Sequence, residues 1–113
     1  MGKRDELIEK YAIDLRTKCG MEPDMSLLTQ VTLGCGPAIY STEFNTISSE
    51  NPDDIEAIKS NFLMKKLGLR DSAELTDAIR SVLEVYGRGE PLKYRAVVYY
   101  MLTKYFGKES HYQ

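Results

Sequence analysis

The sequence has 113 residues, enough for one domain with a single modest core, so residues 1–113 are predicted to form one unit without disulfides or structural metals. No apolar run approaches the length that spans a membrane, and the charged N-terminus lacks the apolar stretch of a secretory signal, so we expect a cytoplasmic protein. The net charge of -2 and the pI near 5.4 argue against a strongly basic nucleic-acid-binding domain.

The first two helices are predicted from the spacing of apolar residues and from the residues that begin and end helices. The first covers about residues 3–19 and ends at Gly20, and one apolar side chain, Ile13, points away from its apolar face. The second begins after an N-cap at Asp24 and ends at Gly34, where a glycine-rich turn follows.

Residues 36–51 are predicted to form a loop with one extra turn at 38–40, because Ser, Thr and Asn dominate this stretch. We expect Ile39, Tyr40 and Phe44 to anchor the loop in the core. Loops of this length are usually functional or mobile. Two interpretations stay open: the loop covers one end of the bundle, or it forms a binding surface if its aromatic residues are exposed.

The third and fourth helices have clear boundaries in the sequence. The third opens at the Asn-Pro pair of residues 51–52 and ends at Gly68. The fourth covers about residues 71–86, with Asp71 and Glu74 at the spacing of a capping box. Its apolar stripe is the most regular in the chain and consists of Leu75, Ala78, Ile79, Val82, Leu83 and Tyr86.

The fifth helix is predicted over residues 91–107 and is apolar around most of its circumference. A narrow solvent-facing sector holds Lys93, Tyr100 and Lys104, whereas Val98, Tyr99 and Leu102 are expected to be buried. A strand would suit the valines and tyrosines, but it would lack a partner strand. The sequence therefore predicts an all-α fold, a compact bundle of about five helices around a hydrophobic C-terminal helix.

Catalytic, metal and cofactor sites are not expected. Cys19, Cys35 and the single histidine, His111, lack the close pairs typical of zinc sites, and no nucleophile–histidine arrangement is present. The sequence predicts a protein that is not an enzyme and needs no cofactor. Whether the two thiols have a redox role stays open, and an anion-binding turn at residues 34–36 is less favoured than a simple chain reversal.

The charge distribution favours an interaction protein. Residues 1–56 carry five basic and eleven acidic residues, whereas residues 57–113 carry ten basic and six acidic ones. The leading hypothesis is a protein–protein interaction module that binds another protein or a second copy of itself. The alternative is weak nucleic-acid binding by the basic C-terminal helix. The candidate interaction surface consists of Ile13, Tyr40, Phe44, Arg88, Lys93, Tyr100 and Lys104.

Three stretches carry a resemblance to a known family. They are EPDMSLL at 22–28 with GCGPAIY at 34–40, NFLMKKLGL at 61–69, and KYRAVVYY at 93–100 with FGKES at 106–110. Together they resemble a domain-of-unknown-function family of small uncharacterised bacterial proteins. The resemblance implies a bacterial, cytoplasmic, stand-alone helical domain, and it implies no activity, cofactor or catalytic residue.

Overall fold

A computed structural model describes residues 2–87, 89–90 and 92–112. The helices in this part of the chain are α1 (Lys3–Thr17), α2 (Met25–Cys35), α3 (Pro52–Ala57), α4 (Ala73–Tyr86) and α5 (Arg95–Tyr105). A π-helical segment, Ile58–Lys66, continues α3, and two 3₁₀ segments cover Gly36–Tyr40 and Glu109–Tyr112. The strands β1 (Thr46–Ser48) and β2 (Leu92–Tyr94) form a small sheet.

The boundaries of α2 and α3 follow from their caps. The carboxylate of Asp24 accepts a hydrogen bond from the backbone amide of Leu27 at 3.2 Å, as an N-cap does. The side chain of Asn51 accepts one from the amide of Asp53 at 2.9 Å. The prediction that α2 ends at Gly34 is wrong by one residue, since Gly36, with φ of 66°, is the glycine that leaves helical geometry.

The all-α prediction is corrected by the sheet. β1 and β2 pair antiparallel, with Ile47 opposite Lys93, so the strand that was rejected for want of a partner is present and has one. The pairing continues beyond the sheet, because the amide of Arg95 donates to the carbonyl of Asn45 at 2.8 Å. The fifth helix therefore begins at Arg95, and the predicted start at Pro91 lies outside the described residues. Strands of three residues leave too short a pattern for sequence periodicity to detect.

The core is built from residues of several helices and of β1. α5 packs against α1, α2 and α4 and buries Val98 and Leu102 completely, as expected. Tyr99 is only partly buried, which corrects the prediction that it would be largely buried. The predicted apolar stripe of the fourth helix is buried, and so is the apolar face predicted for the first, which consists of Leu7, Ile8, Tyr11, Ala12, Leu15 and Cys19. The Cα radius of gyration, 12.9 Å, is close to the roughly 13 Å of a compact domain of this size.

The start of α4 differs from its prediction. The helix begins at Ala73, and the side chain of the preceding Ser72 makes no capping hydrogen bond. Asp71 does not cap the helix, because its carboxylate pairs with the ammonium of Lys59 at 2.8 Å. The capping box of Asp71 and Glu74 is therefore wrong. Across the described ranges, no helix has the length and apolar character that crossing a membrane requires.

Candidate functional site

An apolar groove between α4 and α5 is the candidate interaction site. Its volume is about 330 Å³. Five apolar side chains line it, and Ser81 and Lys104 are its polar lining residues. The apolar five are Met21, Val82, Val85, Met101 and Tyr105.

Side chains on the two sides of the groove are open to solvent although they are apolar. Val85 and Tyr105 are each 53% exposed, whereas Val82 and Met101, which line the same groove, are buried. The ring of Phe106 packs edge-on against that of Tyr105, with centroids 5.0 Å apart. An apolar groove with a methionine in its floor and an exposed aromatic at its edge is typical of surfaces that bind another protein.

Charged residues of α4 and of the end of α5 lie near the groove, and α4 carries the exposed Arg80 besides its acidic residues. Along α4, Asp77 lies one turn before Ser81, and Glu74 lies one turn earlier still; both are exposed. On the α5 side, Lys104 lines the groove, and Lys108 follows four residues later, beyond the end of α5. The ammonium of Lys104 lies 3.5 Å from the carboxylate of Glu109. We call Glu74 and Asp77 the acidic edge of the groove, and Lys104 and Lys108 its basic edge.

Two residues of the predicted interaction surface are buried. Lys93 is 1% exposed, and its ammonium donates to the carbonyl of Glu90 and, at 3.4 Å, to the hydroxyl of Ser49. Tyr100 is 1% exposed, and its hydroxyl accepts a hydrogen bond from the amide of Asp24 at 2.8 Å. The prediction for Lys93 is wrong because the helical wheel extended the helix back through residue 93, which lies in β2.

The remaining predicted residues do not form one surface. Ile13 is exposed on α1, as predicted from its position on the helical wheel. Tyr40 and Phe44 are 52% and 56% exposed, so the prediction that they anchor their loop is wrong, and of the three apolar residues only Ile39 is buried. They line separate cavities, Tyr40 beside α1 and Phe44 beside the π segment. Arg88 lies outside the described residues.

Sequence reasoning found Lys104 but missed its apolar neighbours in the groove. Val85 lies next to the regular stripe of α4 and is apolar, which is the same signal that singled out Ile13 on α1. Tyr105 could not be distinguished from its neighbours, because the sequence of its helix is apolar on nearly all sides. Exposed apolar positions at the margin of a stripe were therefore the available signal for this groove.

The thiols lie apart from the groove and are held in their neutral form. Burial raises the pKa of the Cys19 thiol to about 11, and the nearby Asp14 carboxylate adds to the shift. Burial also raises the pKa of Cys35 to about 11. No group of three or more potential metal ligands is found among the residues that the structure describes.

Comparison with known proteins gives one family match. The model of a family described as "Protein of unknown function (DUF2853)" matches residues 10–110. A search of curated proteins finds no match.

Proposed function

The chain belongs to the DUF2853 family, and from this starting point we propose that it is a non-enzymatic protein–protein interaction module that binds a second copy of itself through the α4–α5 groove. The proposal places the protein in a bacterial cytoplasm, on the resemblance of its sequence alone. No substrate or cofactor is part of the proposal.

The observation that carries the proposal is the pair of exposed apolar side chains in a groove that buried apolar residues also line. Val85 and Tyr105 each leave about half of their surface in water, and the buried Val82 and Met101 line the same groove. Burying such surface is favourable by about 25 cal/mol per Å². Because Val82 and Met101 are already ordered, a partner that covers this groove has little to reorganise in its floor.

The charges at the groove favour a second copy as the partner. In a two-fold symmetric dimer, each subunit uses the same patch, so the acidic edge of one subunit can face the basic edge of the other twice. Glu74 and Asp77 form the acidic edge, and Lys104 and Lys108 the basic edge.

The size of the surface is compatible with a dimer. A standard interface buries roughly 800 Å² per partner. The whole chain exposes 6386 Å², so an interface of that size would use about one eighth of its surface. The groove would form the apolar centre of such an interface and the charged edges its rim.

Sedimentation equilibrium tests the proposal. We expect the wild-type chain to dimerise and Val85→Glu to raise the dimer dissociation constant at least about tenfold, because the carboxylate would be desolvated at the centre of the interface. Leu33→Glu is the matched control, since Leu33 is a similarly exposed apolar residue on another helix. This variant should dimerise like the wild type.

Three outcomes would contradict self-association through the groove. The wild type could stay monomeric at millimolar concentration, Val85→Glu could dimerise unchanged, or Leu33→Glu could weaken the dimer equally. In the first case, titration with an amphipathic helical peptide, followed by amide shifts of Val85 and Tyr105, distinguishes a groove that binds another protein from one that binds nothing.

Nucleic-acid binding is the less favoured alternative. Lys93 is buried, which leaves Lys104 and the undescribed Arg88 of the basic residues first assigned to it. Binding to phosphates falls steeply as salt rises, whereas an interface with an apolar centre responds weakly. Fluorescence titration of a single-stranded oligonucleotide at two salt concentrations therefore separates the two hypotheses.

A further inference from the structure

A second cavity lies on a different part of the molecule, between the end of α2, the π segment and the start of α5. Its volume of about 510 Å³ is within the range of small-molecule sites. Two basic side chains, Lys66 and Arg95, line it together with the exposed ring of Phe44 and the partly buried ring of Tyr99.

The π geometry is what brings Lys66 into this cavity. Ala57, Asn61, Phe62 and Lys66 all line it. In an α-helix with 3.6 residues per turn, residues 57 and 66 would point to opposite sides. The segment after Ala57 is π-helical, with about 4.4 residues per turn, so nine residues complete just over two turns and both side chains reach the same side. Helical segments of this type are frequent at functional sites.

Gly34 in α2 leaves room for the side chain of Lys66, because it has no side chain of its own. A Cβ atom at Gly34 would lie 3.1 Å from the ammonium nitrogen of Lys66 and 3.4 Å from the ring of Tyr112. Gly34 does not have a positive φ, so its backbone does not require glycine. A glycine inside a helix lowers its stability. The close approach of Lys66 is the structural feature that explains a glycine at position 34.

Two hydrogen bonds hold the guanidinium of Arg95 at the cavity wall and leave some of its N–H donors unused. Its Nε donates to the carbonyl of Phe44 at 2.9 Å, and one terminal nitrogen donates to the hydroxyl of Tyr99 at 3.1 Å. A guanidinium has five N–H donors, so three are left. Within the described ranges, neither Arg95 nor Lys66 forms an ion pair.

The cavity also contains a carboxylate and an aromatic wall. One oxygen of Asp54 accepts a hydrogen bond from the amide of Ser48 at 2.8 Å. With Lys66 and Arg95, this carboxylate gives the lining residues a net charge of about +1 at neutral pH. The rings of Phe62 and Tyr99 are stacked, with centroids 3.8 Å apart and planes 9° apart. This stack fixes the position of Tyr99 beside Arg95.

We propose that this cavity binds a small organic anion with a flat apolar body. Its carboxylate or phosphate group would bind between Arg95 and Lys66, and its ring would lie against Phe44 and Tyr99. Cys35 also lines the cavity, and because its thiol is neutral at pH 7 it adds no negative charge that would repel the ligand. The proposal is independent of the α4–α5 groove.

Binding of simple probes to the full chain tests this proposal. The probes are phenyl phosphate and benzoate, with inorganic phosphate as the anion without a ring and benzylamine as the ring with a cation. Titrations are followed by the amide shifts of Gly34, Asn61 and Arg95. We expect saturable shifts with phenyl phosphate or benzoate at millimolar concentrations or below, and weaker binding of the other two probes.

Substitutions assign the binding to this cavity. Lys66→Gln should weaken the binding of phenyl phosphate about tenfold, because it removes one of the two charges. Lys65→Gln is the matched control, because it removes the same charge from the exposed neighbouring position outside the cavity. Arg95→Gln should weaken binding as well, and its fold is checked by circular dichroism because Arg95 also holds Phe44.

The proposal is overturned by any of four results. The first is that neither aromatic anion gives a saturable shift at about 10 mM. The second is that Lys65→Gln weakens binding as much as Lys66→Gln does. The third and fourth are that benzylamine, or inorganic phosphate, binds as tightly as phenyl phosphate. The last result would leave an inorganic-anion site without a ring-binding wall.

Discussion

The hydroxyl of Tyr86 at the end of α4 donates a hydrogen bond to the carboxylate of Asp14 in α1. It also accepts one from the amide of Tyr94 in β2, at 3.3 Å. Both side chains are buried, and burial raises the pKa of Tyr86, so its proton stays in place at neutral pH. One phenol thus joins two helices and the sheet.

Tyr86→Phe should reduce the free energy of unfolding by about 2 kcal/mol, because the Asp14 carboxylate loses a buried donor. The measurement is urea denaturation at pH 7 followed by circular dichroism. Tyr40→Phe is the control. Because Tyr40 is exposed, removing its hydroxyl should change the free energy of unfolding by less than about 0.5 kcal/mol. Equal effects of the two substitutions would contradict the bond between Tyr86 and Asp14.

Ile47→Ala should cost about 3 kcal/mol, as expected for a large aliphatic side chain in a packed core. Ile47 is buried opposite Lys93 in the sheet. Urea denaturation measures the loss, and Leu33→Ala on the exposed side of α2 should change stability by less than about 0.5 kcal/mol. A small effect at Ile47 would mean that β1 does not seal the core.

Ile47 also shows where sequence reasoning stopped. Amphipathic helices of ten or more residues repeat their apolar pattern several times, and for this reason the buried faces of α1 and α4 were predicted correctly. β1 has one buried residue between two half-buried ones, and this pattern is indistinguishable from a loop. Its pairing with β2 then moved the start of α5 and reversed the placement of Lys93.

The two candidate sites were less visible than the fold, for geometric reasons. A helical wheel assumes 100° per residue, so it could not align Lys66 with Ala57 across a π segment. The groove depends on Val85 and Tyr105 from two helices. An apolar residue beside a stripe can signal each position separately, but the sequence has no local signal that the two lie close together. Lys104 was identified because its charge interrupts an apolar helix.

The native thiols should react slowly below pH 9, because burial raises the pKa of Cys19 and Cys35 from 9.0 to about 11. Iodoacetamide alkylation in the folded chain should keep accelerating up to about pH 11, whereas in urea it should level off above about pH 9. The measurement is mass spectrometry of the alkylated chain against time. A native rate that levels off at the same pH as in urea would contradict the shift.

The same shifts predict a pH dependence of stability. Between pH 9 and about 11 the unfolded chain releases its thiol protons while the folded chain retains them, so the free energy of unfolding falls as pH rises. Wild type should therefore lose stability more steeply in this window than a Cys19→Ala/Cys35→Ala variant. Parallel curves in urea denaturation would count against buried, neutral thiols.

Gly34→Ala should separate stability from binding in the second cavity. Alanine favours the helix by up to about 1 kcal/mol, and the Cβ would meet only the flexible end of Lys66 closely. Thermal unfolding should thus be unchanged or shifted upward, while phenyl phosphate binding weakens because the ammonium is displaced. Calorimetric titration measures the second effect, and unchanged affinity would mean that Gly34 does not position Lys66.

Charge reversal at the groove tests the proposed symmetry of the dimer. Glu74→Lys/Asp77→Lys places like charges opposite the basic edge, and Lys104→Glu/Lys108→Glu does the same for the acidic edge. Each double variant alone should be mostly monomeric, with a dissociation constant raised at least about tenfold.

An equimolar mixture of the two double variants should dimerise again, because each reversed edge then faces its complement in the other chain. Sedimentation of the mixture, with one chain carrying a fluorescent label, measures this recovery. If the reversals act only by disturbing each fold, mixing restores nothing, and if the groove lies outside the interface, each variant dimerises alone. If the chains dimerise in the mixture but neither variant dimerises by itself, α4 of one subunit must face α5 of the other.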